Sequence, residues 1–291
     1  MSSTLRPTAE SSARTRPAAA GSAAAGSTRA RRGSRVALRR GAAGVLVLVL
    51  ILEIASRSSL IASGFLPPFS EVLMRALALW GDAVFRTDVL ATLTAYVLGM
   101  TIAIVVAVPL GIAFGLSQPV YRSARAIVEL IRPIPPVALV PLVILVLGSS
   151  LEMKLVIVVF AAVWPIMFNT LYGVHDVDPY AKEMARSFGV SRFGVIRRIV
   201  IPASTPFIAT GVRIASSIAL IVVITVELIA GGAQGLGAFI SRTRAYGDAD
   251  SYLTVLAATF IAGVLGLVIN LILGWIERRF FAWDATTRGA Q

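Results

Sequence analysis

Apolar runs long enough to cross a bilayer alternate with short polar segments along most of this chain. A spanning helix needs about 20 mostly apolar residues. Runs of this kind begin at Gly41 and reach about Ile61, then cover roughly Leu90–Gly115, a proline-interrupted stretch ending near Gly148, about Leu155–Gly173, about Phe207–Ala230 and about Leu253–Ile276. The pattern predicts an all-α polytopic membrane protein with about six transmembrane helices. The first run is weak at its far end, which holds Glu53, Arg57 and three serines. Phe65–Glu71 reads as a turn, with Ser70 as the N-cap of a short amphipathic helix near Val72–Trp80. Arg122, Arg125 and Arg132 fall on a semi-polar linker before Pro133, Pro135, Pro136 and Pro141. Ser149–Lys154 reads as a short turn, and Gly231–Tyr252 as a glycine-rich polar connection.

One long segment breaks this rhythm. Residues 176–206 are charged and helix-patterned between two apolar runs. Asp178 is placed to cap a helix whose first turn holds Pro179. That helix is expected over Pro179–Phe188, stopped by Gly189 in a left-handed conformation. Tyr180, Met184 and Phe188 recur at every fourth position, making one apolar stripe beside Lys182, Glu183 and Arg186. Ser191 is expected to cap a second helix carrying Phe193, Ile196, Ile199 and Val200. Pro202 is expected to end it, with Ile201 extended, and Thr205-Pro206 to start the next span. Two short helices with apolar faces suit docking to a partner, or lying on lipid headgroups; amphipathicity alone does not choose.

Composition supports the membrane reading. Of 291 residues 57% are hydrophobic and 14% charged, against roughly 25% charged in soluble domains; mean hydropathy is +0.83. The net charge of +12 would suggest nucleic acid in a soluble protein, but here its distribution follows the spans. Residues 1–40 hold nine arginines and one acid and should be a disordered basic tail. With that tail inside, the inner segments carry 20 Lys and Arg and the outer ones 6, leaving aside Arg213 within the fifth span. Six spans with both termini cytoplasmic, and residues 176–206 on the same side, is the consistent expectation.

The candidate chemistry is sparse. There are no cysteines and a single histidine, His175, which exclude thiol chemistry and multi-histidine metal sites. The only lysines are Lys154 and Lys182, neither in a P-loop, and Gly231–Gly237 lacks the lysine of a phosphate cradle. No paired carboxylates or nucleophilic triad stand out, so no enzyme is expected. Glu53 and Glu227 lie within apolar runs, where an unpaired acid costs at least about 2.5 kcal/mol. Each is a candidate for structural pairing or for a pathway or gating role. Thr94, Thr101, Asn169 and Asn270 could bond across helices.

The spacing within the central segment resembles a known signature. Glu183-Met184-Ala185, then Gly189, then Ile199-Val200-Ile201-Pro202 resembles the EAA loop of ABC importer permeases, with Met184 and Ile201 as mild departures. Leu66–Leu73, Trp164-Pro165, Glu227, Gly235-Leu236-Gly237 and Arg278–Trp283 resemble the nitrate/sulfonate/taurine subfamily. Leu147-Gly148-Ser149 departs from the Trp-Phe-Gly usual there. The likeness covers about residues 45–285 and implies a type I importer (MetI-like) permease domain over 41–285, with residues 286–291 a short tail.

The resemblance implies that residues 176–206 dock on a separate cytoplasmic ATPase. Lys182 and Glu183 would make polar contacts, Tyr180, Met184 and Phe188 would fill its groove, Gly189 would set the turn, and Ala185, Ile199 and Pro202 belong to the motif. ATP and magnesium would be bound by that partner, with no cofactor in this chain. A substrate-binding protein outside the bacterial inner membrane and a second permease copy complete the implied assembly. The implied cargo is a small anion such as an alkanesulfonate, taurine or nitrate, with a thiamine precursor as the alternative. A secondary transporter or channel, or a scaffold without transport, are the competing classes; the former would want paired ionisable residues deep in the spans.

Overall fold

The computed structural model describes residues 40–58 (save 42 and 45), 67–231 and 234–280. The tail expected over residues 1–39, the turn at Phe65-Leu66, Phe281–Trp283 and the tail 286–291 lie outside the described residues. Among the described residues every regular element is helical. The chain divides into two compact units, residues 1–69 and 70–291. In the first, helix α1 is described continuously over residues 46–57. Glu53 lies on it and accepts from Arg57 Nε one turn on, at 2.8 Å.

The second unit begins within α2 (Phe69–Leu79) and continues through α3 (Ala83–Leu116), α4 (Gln118–Ile131), α5 (Val140–Leu147), α6 (Leu151–Asp176), α7 (Pro179–Ser187), α8 (Arg192–Val195), α9 (Ile201–Ala230), α10 (Leu236–Arg244) and α11 (Ala249–Phe280). α6 is the centre, packed along α3 on one side and α9 on the other. Small residues make this close approach possible. Ala95, Gly99, Ala103, Ala107, Gly111 and Gly115 recur every fourth position on α3, and the three alanines are fully buried. A Cβ on Gly111 would stand 2.6 Å from the Met167 carbonyl oxygen of α6. On α9, Gly211, Ala215, Ala219 and Val223 repeat the device, and a Cβ on Gly211 would meet Asn169 of α6 at 2.8 Å.

Among the described residues, four helical stretches are long and apolar enough to cross a membrane: Ala83–Leu116, Leu151–Asp176, Arg192–Ala230 and Ala249–Arg279. α4 and the following turn with α5 form a pair bent by 76°, which makes a fifth crossing if counted as one span. Of the six expected spans, the first is described only in part. The bend has a clear cause. Pro133, Pro135 and Pro136 carry no N–H, so the hydrogen-bond ladder lapses and resumes as a 3₁₀ turn, Pro136–Leu139.

Several boundaries differ from the sequence expectation: α3 begins at Ala83, α9 at Ile201 with Pro206 inside it rather than at its start, α11 at Ala249, and α10 lies within the connection expected over Gly231–Tyr252. Arg122 and Arg125 lie on helix α4 rather than a linker, and Arg125 pairs with Glu129 one turn away at 2.6 Å. α2 starts at Phe69, so Ser70 is inside the helix rather than its cap. α6 starts at Leu151, capped by Ser150, which puts Lys154 in the helix instead of a turn. Pro202 does not end a helix. Ile201 is helical, and its N–H reaches back five residues to the Ile196 carbonyl across a π turn, Ile196–Val200. That wider turn accommodates the proline's missing donor, so α8 runs on into α9 without a break.

Candidate functional site

The loop end of the bundle is built on two stiff joints. Only Val177 and Asp178 separate α6 from α7, and the π turn leads from α8 into α9. Asp178 Oδ1 accepts from the Tyr180 N–H at 2.8 Å and starts α7. Its far end closes as a Schellman motif. The Gly189 N–H donates to Arg186 O at 2.9 Å and the Val190 N–H to Ala185 O at 3.0 Å, with Gly189 at φ +77°. Ser191 Oγ then caps α8 by accepting from the Gly194 N–H at 3.2 Å.

The loop has two faces. Inward, Val174, Val177, Val195 and Val200 are buried together, with Ile112, Ala185, Val190 and Ile199 packed against them. Ala185 and Ile199, counted among the coupling residues from the motif, are half-buried and pack against this cluster from beneath the loop. Outward, Tyr180 is 78% exposed, Met184 63% and Phe188 81%. Phe193 on α8 joins them at 72%, whereas Ile199 and Val200, expected on the same helix, pack inward. Glu183, Gly189 and Pro202 are exposed. Covering a large apolar side chain is worth about 1.5–3 kcal/mol, so burying this stripe would be favourable. Lys182 is half-buried and donates to Val174 O at 3.3 Å. Burial is the main cause that lowers its pKa, helped by Arg186 and opposed by Asp178.

A second polar cluster sits at the opposite end, in positions assigned from sequence to turns and lone charges. Lys154 of α6 and Glu227 of α9 form an ion pair at 2.8 Å, with side chains 8% and 0% exposed. Lys154 Nζ also donates to Gln234 O at 2.6 Å. Glu227 Oε2 accepts from Thr92 Oγ1 at 2.8 Å and from the Gly237 N–H at 3.0 Å. Thr92 Oγ1 accepts from the Leu236 N–H at 2.7 Å, and Asp88 Oδ1 from the Gly235 N–H at 2.7 Å. Arg242 of α10 donates to Asp88 Oδ2 at 2.5 Å.

Four successive backbone groups, Gln234 O and the N–H groups of residues 235–237, are thus held by side chains of three other helices. The N–H groups opening a helix have no internal partner; here they are capped from α3 and α9. Gly235 at φ +137° is required on two counts, since a Cβ there would lie 2.3 Å from the Glu227 carboxyl. The glycine-rich connection expected to be loose is pinned at this end. Removing one member of a buried ion pair costs about 3–5 kcal/mol because the other is left unpaired. Glu227 is thus paired, with Lys154 as its partner. The signal for it was present as Lys154, which sequence periodicity had left in a turn.

Two further expectations divide. Asn270 does bond across helices, accepting from Arg213 Nε at 3.0 Å, while Arg213 Nη1 pairs with Glu277 at 3.1 Å. Asn169, Thr94 and Thr101 instead bond to carbonyls of their own helices, Pro165 O, Leu90 O and Val97 O, as side chains four residues along a helix readily do. Among the described residues no group of three His, Cys, Asp or Glu could hold a metal.

Residues 99–282, which include both clusters' α6, α9 and α10 members, match the profile of the binding-protein-dependent transport system inner membrane component family. The chain belongs to that family. It is 31% identical over 242 residues to the taurine transport system permease protein TauC of Escherichia coli, covering 81% of this chain and 86% of the relative. It is 28% identical over 245 residues to the bicarbonate transport system permease protein CmpB of Synechococcus elongatus, covering 81% and 87%. It is 28% identical over 192 residues to the nitrate import permease protein NrtB of Leptolyngbya laminosa, covering 66% and 67%. Among solved structures, a chain of a bacterial ABC transporter involved in alginate import superposes with a TM-score of 0.56 at 19% identity, over 86% of this chain and 99% of that one. The helical fold is that of type I importer permeases, and the permease is a multi-pass membrane protein.

Proposed function

We propose that this permease forms the translocation pathway of an ATP-driven importer of a small anion, and that residues 176–206 are its ATPase dock. The observation that carries the dock is the exposed row of Tyr180, Met184 and Phe188 on a helix fixed at both ends and braced from below by four buried valines. Lipid headgroups could also cover such a row. The rigid joints to α6 and α9 favour the partner, because a surface-seeking helix gains nothing from being locked to two spans.

On this reading the dock faces the cytoplasm, Glu183 and Lys182 contact the ATPase, and Gly189 sets the angle between α7 and α8. A second copy of the permease and an extracytoplasmic binding protein complete the assembly. The anionic cargo follows from relatives named for taurine, bicarbonate and nitrate, a wider set than sulfonates and nitrate. Glu53 pairs locally with Arg57, which fits a structural role better than a place in the pathway.

The test is uptake into proteoliposomes holding this permease, its ATPase and its binding protein. ATP should drive uptake of at least one of taurine, nitrate and bicarbonate, and omission of the binding protein should abolish it. Replacing Tyr180, Met184 and Phe188 together by Ala should leave the permease folded but no longer copurifying with the ATPase. Retained copurification would return the stripe to the lipid surface.

A further inference from the structure

The loop joins the end of α6 to the start of α9, and these same two helices carry Lys154 and Glu227 at their other ends. From Asp176 back to Lys154 is about 33 Å of helix at 1.5 Å per residue. Loop and ion pair therefore close a ring around two helices that run in opposite chain directions. A displacement applied at the loop shears α6 against α9 unless something fixes their far ends.

The far end is fixed by charge, and the fixation extends to α10. The caps on α10 come from α3 and α9, and the carbonyl of Gln234 is held from α6. Any slip between these three helices breaks at least one of those bonds. Placement of α10 is thus tied to the alignment of the two helices, and the cluster's charges balance. The two acids, Asp88 and Glu227, are matched by Arg242 and Lys154.

We propose that Lys154 and Glu227 are positioning residues for transport. As a charge-balanced pair they hold α6 and α9 in register and seat α10 on them, so that motion delivered at the loop reaches the opposite end of the bundle without being lost as slip. The transport half of this proposal rests on the importer reading above; the seating of α10 does not.

The experiment uses the natural absence of cysteine. Ala238 of α10 is fully buried, and Ala238→Cys gives a single reporter in the full-length permease. In the otherwise unchanged chain the reporter should resist a maleimide. With Glu227→Gln or Lys154→Met, each of which leaves one buried charge unpaired, its labelling should accelerate at least about tenfold. The double variant Lys154→Met/Glu227→Gln is neutral and keeps an acceptor for the Gly237 N–H, so it should recover most of the protection. In the assembled transporter, uptake of taurine, nitrate or bicarbonate per ATP hydrolysed should fall about tenfold in the single variants and recover in the double one.

Unchanged labelling in the single variants overturns the proposal, as does a double variant no better than either single. Increased labelling with uptake per ATP at the parent level overturns the transport half. A parent that imports none of the three solutes counts against the importer reading alone, because the labelling arm still reports on the seat of α10.

Discussion

Gly235 shows how much a single position carries in this protein. Its φ of +137° lies in a region that L side chains rarely adopt, and the Glu227 carboxyl occupies the place a side chain would take. Gly235→Ala should therefore destabilise the permease by about 3 kcal/mol or more, through backbone strain and displacement of a buried carboxylate. Thermal unfolding in detergent checks it, and a midpoint within a degree of the parent would refute the packing described for this turn. Gly231, also at positive φ, has nothing within 4 Å of where a Cβ would be, so Gly231→Ala is the milder control. Residue chemistry of this sort was only half legible beforehand. Glu227 was visible as an acid in an apolar run, but Lys154, Asp88 and Thr92 lie 73, 139 and 135 positions away along the chain, and no periodicity reports a contact at that distance.

At the scale of elements, local signals worked where the local physics is complete. The helix α7 is set by Asp178, Pro179 and Gly189, each acting through its own backbone neighbours, and the structure has it almost as the sequence implies. Its end makes a sharp prediction. Gly189 is in open space, so Gly189→Val meets no clash and acts only through the left-handed backbone, which a β-branched residue resists by about 1–2 kcal/mol. The expected outcome is a permease that inserts and folds normally yet loses most of its copurifying ATPase and ATP-driven uptake; unimpaired uptake would detach α7 from coupling. Pro202 went the other way. A proline normally marks a helix boundary, but the π turn at Ile196–Val200 absorbs its missing hydrogen bond, and the resulting α8–α9 rod is what makes the loop a stiff lever. The alternation of small residues on α3 was equally present in the chain; it goes unnoticed because helical spacing of alanine and glycine carries no hydrophobic contrast against an apolar background.

The unit of residues 70–291 is organised around one helix, α6, packed against α3 and α9, with the loop of residues 176–206 at one end and the charge cluster at the other. Its orientation is a prediction at this scale. The excess of arginine and lysine on segments of one parity predicts that the loop end lies inside. In a chain without cysteine, Tyr180→Cys and Tyr246→Cys are both highly exposed reporters, one at each end of the bundle. In intact cells an impermeant thiol reagent should label the second and spare the first. The reverse pattern would invert the topology and remove the dock from the ATPase. Removing residues 2–34 should leave ATP-driven uptake intact, since orientation is also enforced by the basic residues at 122–132, 182–198 and after 277; lost uptake at normal membrane abundance would give the tail a role of its own.

What the sequence determined by itself is whatever depends on neighbours along the chain or on bulk composition: the helical spans, the basic bias of one side, the caps of the loop helices and the stripe of Tyr180, Met184 and Phe188. Each is a short-range or averaged property, because helix periodicity, capping and transfer to lipid act residue by residue. The tertiary structure decided which apolar loop residues face out and which brace from below, that the proline-rich span bends, and that Lys154 and Glu227 meet. These depend on where distant segments lie in space. In a membrane interior that distinction matters most for charge, since a buried ion is tolerable only when its partner arrives from another helix.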